Sequence, residues 1–294
     1  LEFRNLSASG EAGHPLETPI RVHVVDAWSN TITNAELEIT LASGDQAGLI
    51  GTLSRNAADG VATFDNLIFT LAGQRQLVAS STGLNGDTLT GILIRPGVLA
   101  RLEVTLSTET AVAGTRLSAT VSAFDPFDNA KTNYTGIPLF SSSDTNAQLP
   151  GPYAFYETDQ GVHTYRNTML FKTLGSQTVQ ARDGSIVSPP ASITVSNAAP
   201  QPPVLLSPED GGFTGLRTTL ELGAFTDIDN AGHAATEFQV ARTEAFTDEE
   251  LIWNSNTLPP VLNVLLPAGI LAEFTEYFWR ARVKDLSGDA ETEW

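Results

Sequence analysis

One stretch of this chain is written twice. Residues 60 to 80 read Gly-Val-Ala-Thr-Phe-Asp-Asn-Leu-Ile-Phe-Thr-Leu-Ala-Gly-Gln-Arg-Gln-Leu-Val-Ala-Ser. Residues 161 to 181 read Gly-Val-His-Thr-Tyr-Arg-Asn-Thr-Met-Leu-Phe-Lys-Thr-Leu-Gly-Ser-Gln-Thr-Val-Gln-Ala. Gly60 answers Gly161, Thr63 answers Thr164, Phe64 answers Tyr165, Asn66 answers Asn167, and Gly73 answers Gly175 after a one-residue slip. A repeat of about one hundred residues is too long for a solenoid turn and has the size of a small domain. The 294 residues therefore hold two or three modules in series.

Each copy alternates apolar and polar residues over short runs: Ile20-Arg-Val-His-Val-Val25, Leu37-Glu-Ile-Thr-Leu41, Ala62-Thr-Phe-Asp-Asn-Leu67 and Gln76-Leu-Val-Ala79. Period two over four to eight residues predicts half-buried antiparallel strands, with turns at Asp26-Ala-Trp-Ser-Asn30, Ser43-Gly-Asp45, Asp59-Gly60 and Asn85-Gly86-Asp87. About seven strands in a hundred residues is the count of a β-sandwich. Other pieces of the first copy return in the second. Leu1-Glu-Phe3 reappears as Leu102-Glu-Val104, Ala12-Gly13 as Ala113-Gly114, and the turn Asp26-Ala-Trp-Ser-Asn30 as Asp125-Pro-Phe-Asp-Asn129. In that turn Asp26 and Asn30, like Asp125 and Asn129, are structural: both side chains can bond the turn's own backbone. Ile94-Arg-Pro-Gly-Val98 is too short for a free linker, so the two modules are expected to abut.

The Asp-x-x-x-Asn turn, the Gly-Val-x-Thr-Phe/Tyr strand and the later Gly before Leu-Val-Ala resemble bacterial immunoglobulin-like repeats of invasin- and intimin-type surface proteins. The resemblance covers residues 1–197 and implies two immunoglobulin-like sandwiches, 1–96 and 97–197, on a bacterial cell surface. It names no ligand.

Asn197-Ala-Ala-Pro-Gln-Pro-Pro-Val204 is a Pro-rich joint, expected to be extended and fairly stiff. Beyond it Leu271-Ala-Glu-Phe-Thr-Glu-Tyr-Phe-Trp-Arg-Ala-Arg-Val283 puts Tyr277, Trp279, Ala281 and Val283 on one inward row. Leu271 six residues before Tyr277 resembles the tyrosine corner of fibronectin type III domains. Residues 198–294 thus resemble a bacterial fibronectin type III-like module. The run from Leu286 to Trp294 leaves little for a last strand, so either the protein continues or a neighbouring copy fills the open edge. The expected fold class is all-β, three sandwiches end to end. At 3.3 Å per strand residue the three span roughly 100 Å.

Composition narrows function by exclusion. With 16 basic against 34 acidic residues the net charge is −18, which repels nucleic acid and anionic lipid alike. Acidity keeps a secreted protein soluble, and it makes divalent cations plausible companions. The absence of cysteine rules out disulfides and thiol-bound metals; it is ordinary in a bacterial surface protein and unusual in a secreted animal one. No apolar run approaches the ~20 residues of a membrane span, and any export signal or anchor is expected to be removed or to lie outside this sequence.

Candidate sites are few. Asp227, Asp229 and Asn230, in Asp227-Ile-Asp-Asn-Ala-Gly232, could offer calcium several oxygens; the other reading is a turn that caps its own backbone. It is no EF-hand, since Phe238 stands at the twelfth position. Trp28 and Phe127 hold equivalent places in the repeated turns, as stacking platforms for a sugar or as packing against an adjacent module. The four histidines show no ligand spacing, and no nucleophile elbow, zinc-protease helix or phosphate loop is present. Asn5-Leu-Ser7 and Asn133-Tyr-Thr135 match the glycosylation sequon, which means little in a bacterium.

The expectation is a non-enzymatic, extracellular structural or adhesive protein with no cofactor beyond candidate calcium. It would act as a rod, stalk or fibre subunit whose partners are further copies of itself, other surface proteins or glycans. The rival is a spacer or sugar-binding accessory region of a larger carbohydrate-active secreted protein.

Overall fold

The alternating runs become strands because period-two patterning buries one face of each. In strand Leu117–Phe124, Leu117, Ala119, Val121 and Ala123 are buried and their neighbours are not. In Glu38–Ser43 the buried pair is Ile39 and Leu41. The computed structural model describes residues 1–4, 8–45, 48–287 and 292. Among these there is no α-helix, and the one helical turn is a 3-10 segment, Glu157–Asp159.

The first two sandwiches share one plan. In the first, strands Glu2–Phe3, Ile20–His23 and Val61–Phe64 form a three-stranded sheet. Ser9–Glu11, Asp87–Arg95, Gly73–Ser80, Glu38–Ser43 and Ser54–Asn56, in that order, form the facing one. The opening strand therefore changes sheets. Its second half, Ser9–Glu11, runs parallel to Asp87–Arg95, covering an edge that would otherwise present unpaired amides and carbonyls. The second sandwich repeats the device: Arg101–Leu106 pairs with Leu117–Phe124, while Thr110–Val112 lies parallel to Ala191–Ser196. The expected strand through Leu67 stops at Phe64, because Asp65 and Asn66 turn outward before Ile68–Phe69 resumes. There Asn66 closes the turn by donating to Thr52 Oγ1 and accepting from the Thr52 amide.

In the third sandwich Leu205–Ser207, Thr219–Leu222 and Asn263–Leu265 face Leu251–Asn254, His233–Ala241 and Phe278–Asp285. Tyr277 Oη accepts the Ala272 amide at 3.1 Å, and Leu271, Tyr277 and Trp279 pack on the core. Most of the segment where a last strand was in question, 288–291 and 293–294, lies outside the described residues, as does the sequon at 5–7. Thr292 sits beside Val283, bonded to it in both directions at 3.0 Å.

Each sandwich has its own core: Ala8 to Ile94, Leu102 to Ala198, and Leu220 to Val283. Ala198, counted from sequence with the third module, is buried in the second core, and Ile228 of the third packs against that same core. The Pro-rich stretch is thus anchored rather than spanning open solvent. The Gln201 amide reaches the Thr226 carbonyl at 2.9 Å.

Candidate functional site: the joints between sandwiches

The repeated Asp-x-x-x-Asn turn does more than reverse the chain. In the second sandwich Asp125, 2% exposed, accepts the Phe127 and Asn129 amides on one oxygen (2.8 and 3.0 Å). Its other oxygen accepts the Gly97 amide and Asn129 Nδ2, each at 2.8 Å. Burial pushes its carboxyl up, but these four donors outweigh it and hold it below the usual aspartate range. Fixed in this way, Asn129 reaches back into the first sandwich. Its Nδ2 donates to the Thr70 carbonyl at 2.8 Å, and its Oδ1 accepts the Ala72 amide at 2.9 Å.

Phe127 rides on the same turn and its ring covers Gly13. A Cβ built at Gly13 would stand 2.4 Å from the ring's Cε2. Gly13 also has φ +84, so glycine is required both for its backbone and for the close approach. The second joint repeats the plug. Ile228 covers Gly114, φ +77, with Cδ1 2.4 Å from where a Cβ would stand. Here the linker amide, that of Ala198, is taken by Asp229 Oδ2 at 3.0 Å, and Asn197 Nδ2 donates to Asp285 Oδ2 at 2.9 Å.

Asp227, Asp229 and Asn230 therefore sit at a joint. Asp227 Oδ1 accepts the Asp229 amide at 2.9 Å, Asp229 Oδ1 accepts the Ala231 amide at 3.1 Å, and Asn230 takes a left-handed φ of 60. Both Asp229 oxygens are engaged by backbone amides. Asp227 Oδ2 and Asn197 Oδ1 are buried without a hydrogen-bond partner among the described residues. Burial, with the Asp229 and Asp285 carboxylates nearby, pushes the Asp227 carboxyl up to about 6. Among the described residues no group of three or more acidic or histidine side chains is arranged to hold a metal ion.

Trp28 and Phe127 do not share a surface. Phe127 is in the first joint at 38% exposure, whereas Trp28, on the equivalent turn of the first sandwich, is 82% exposed. Asp26 is built like Asp125, accepting the Trp28 and Asn30 amides, each at 2.9 Å, and Asn30 Nδ2 at 3.0 Å. Bonds from the Asn30 side chain and backbone lower its carboxyl.

Gly13 and Gly114 are the functional residues that sequence reasoning missed. Their signal was in view, an Ala-Gly pair kept in both copies, but nothing local ties a glycine to a side chain in another module. Two surface recesses also occur. One, beside Arg4, Thr18, Arg21 and His23, holds a single histidine and no carboxylate. The other lies across the first joint, beside Ala72, Ile94, Pro96 and Asn129.

No protein-family profile matches the chain, and no curated protein sequence does. Among solved structures it is similar to Yersinia pseudotuberculosis InvD, at 16% identity and TM-score 0.42, over 98% of this chain and 86% of that one. It is similar also to the Escherichia coli adhesin FdeC, at 15% identity and TM-score 0.45, over 97% and 93%. Chicken CNTN1 domains FN1–FN3 overlap at 10% identity and TM-score 0.32, over 98% and 93%. At such identities and scores the fold assignment rests on the sheets and cores described above.

Proposed function

We propose that this chain is a non-enzymatic rod segment of an extracellular, adhesive bacterial surface protein, in which three sandwiches are locked in line to hold a binding function away from the cell. The observation that carries the reading is the first joint: a buried Asp125, two hydrogen bonds across the boundary at Asn129, one donated and one accepted, and an aromatic ring seated on a glycine. Flexible tandem modules need none of these. A joint with polar groups paired across it favours one geometry, because other orientations give up those hydrogen bonds and the ring's seat on the glycine. The absence of cysteine and the sequence resemblance support the bacterial setting. Small-angle scattering tests the reading. A rigid particle of roughly 100 Å maximum dimension is expected; a broad distribution of bent shapes, or turnover of any substrate by the purified chain, overturns it.

Assembly of copies by strand addition is the finer form of this proposal. Strand Phe278–Asp285 pairs with His233–Ala241 on one side, and on the other the described neighbour is Thr292. Filaments under the electron microscope that form from the purified chain would support it. Monomers at all concentrations would remove it.

The second reading, sugar binding by an accessory region, is favoured by the exposure of Trp28 alone. Glycan-array binding lost on Trp28→Ala would decide for it, and silence across polysaccharides against it.

A further inference from the structure

We infer that the Trp28 turn is a third copy of the joint, its plug presented for a preceding module of the same kind that carries an Ala-Gly corner. This rests on the rod reading and extends it by a specific partner. Two filled joints show what the plug does: Phe127 seats on Gly13 and Ile228 on Gly114. The separation along the chain is the same in both pairs, so each plug takes the corner one module upstream. The Trp28 turn has the same construction, with Asp26 closing on Asn30 as Asp125 closes on Asn129.

Two features differ, and both are what an empty joint requires. Trp28 is 82% exposed where Phe127 is 38%. The Asn30 side chain bonds only to Asp26 among the described residues, whereas Asn129 also takes a carbonyl and an amide of the neighbouring sandwich. Exposure by itself does not single Trp28 out, since Phe213 and Phe274 are more exposed; what does is its place on a turn built like the one whose ring, Phe127, is seated on a neighbouring module.

A second copy of this chain does not fit as that surface, because its two corners are already occupied by Phe127 and Ile228. The fitting occupant presents a positive-φ glycine with an open carbonyl and amide set as in Thr70 and Ala72. It must also be tethered in line, since a plug of one side chain and two hydrogen bonds is too small to bind from solution and depends on high effective concentration.

The test is a chain carrying a second copy of residues 1–101 ahead of Leu1, with Trp28→Phe in the leading copy so that the Trp28 peptide is unique. Hydroxyl-radical footprinting read by mass spectrometry then reports Trp28 directly. The modification rate of Trp28 is expected to fall about twofold relative to the unextended chain, as its exposure drops from 82% towards the 38% of Phe127. Asn30→Ala in the trailing copy, at an exposed position that leaves the fold intact, should return most of that rate. Gly13→Leu in the leading copy should return all of it. An unchanged rate in the extended chain overturns the inference even if scattering shows a rigid rod. Protection of Trp28 in the unextended chain that grows with its concentration would also overturn it, in favour of a second copy as occupant.

Discussion

Two aspartates, one at each joint, titrate in opposite senses, and the pH dependence of stability should separate them. Asp125 is ionised and held by four donors, so its folded value lies below the ordinary one. Its contribution is complete above an unfolded value of about 3.9 and is lost as pH falls through the lowered folded value. Asp125→Ala strands the Gly97, Phe127 and Asn129 amides and should cost about 2–3 kcal/mol at pH 7. Urea midpoints at pH 7 and below pH 3 check this, the gap between variant and parent narrowing in acid. Asp227 is raised to about 6 by burial and by Asp229 and Asp285. Its folded form holds the proton more tightly, so its favourable effect is full below pH ~3.9 and is gone once pH rises through 6. Asp227→Asn should therefore raise stability at pH 7.5, by on the order of 1 kcal/mol after allowance for solvent screening. The gain should shrink towards zero near pH 4, as thermal melts across that range would show. The turn residues Asp26, Asn30, Asp125 and Asn129 were legible in the sequence because an Asx side chain bonds its own backbone. That Asp125 would be buried and Asp26 not was illegible, since only a neighbouring module makes the difference.

At the scale of the element, the joints turn on glycines whose surroundings differ. Gly13 has φ +84 with Phe127 against it, while Gly83 has φ +79 with nothing within 4 Å of a built Cβ. Gly83→Ala should cost about 1–2 kcal/mol, the strain of a left-handed residue alone. Gly13→Ala should cost more and also displace Phe127, so only it should broaden the distribution of shapes seen by scattering. Asn129→Ala removes two bonds across the joint and its hold on Asp125. It should cost about 1–2 kcal/mol and bend the first joint while both flanking sandwiches keep their amide protection. Most strands were readable from alternation. The break at Asp65 and the switch of the opening strand between sheets were not, because both depend on which partner strand is within reach. The bond between the Tyr277 hydroxyl and the Ala272 amide is local, within the loop that precedes strand Phe278–Asp285, which is the range over which residue spacing can be read.

For the whole molecule, hydrogen bonds and close packing link each sandwich to the next at the two joints. With both Asp229 oxygens engaged by amides, chelation is expected to leave the melting temperature within a degree of its starting value. A fall of several degrees with chelator, restored by calcium, would instead place an ion at Asp227, Asp229 and Asn230. By itself the sequence determined the all-β class, the repeat and the inward rows, because period-two burial is a property of a few consecutive residues and survives any tertiary arrangement. Only the tertiary structure decided that Phe127 and Ile228 are plugs, that Gly13 and Gly114 are their seats, and that Trp28 stands uncovered. Those contacts join residues more than a module apart, and which surfaces meet is set by how whole sandwiches stack rather than by any local preference of the chain.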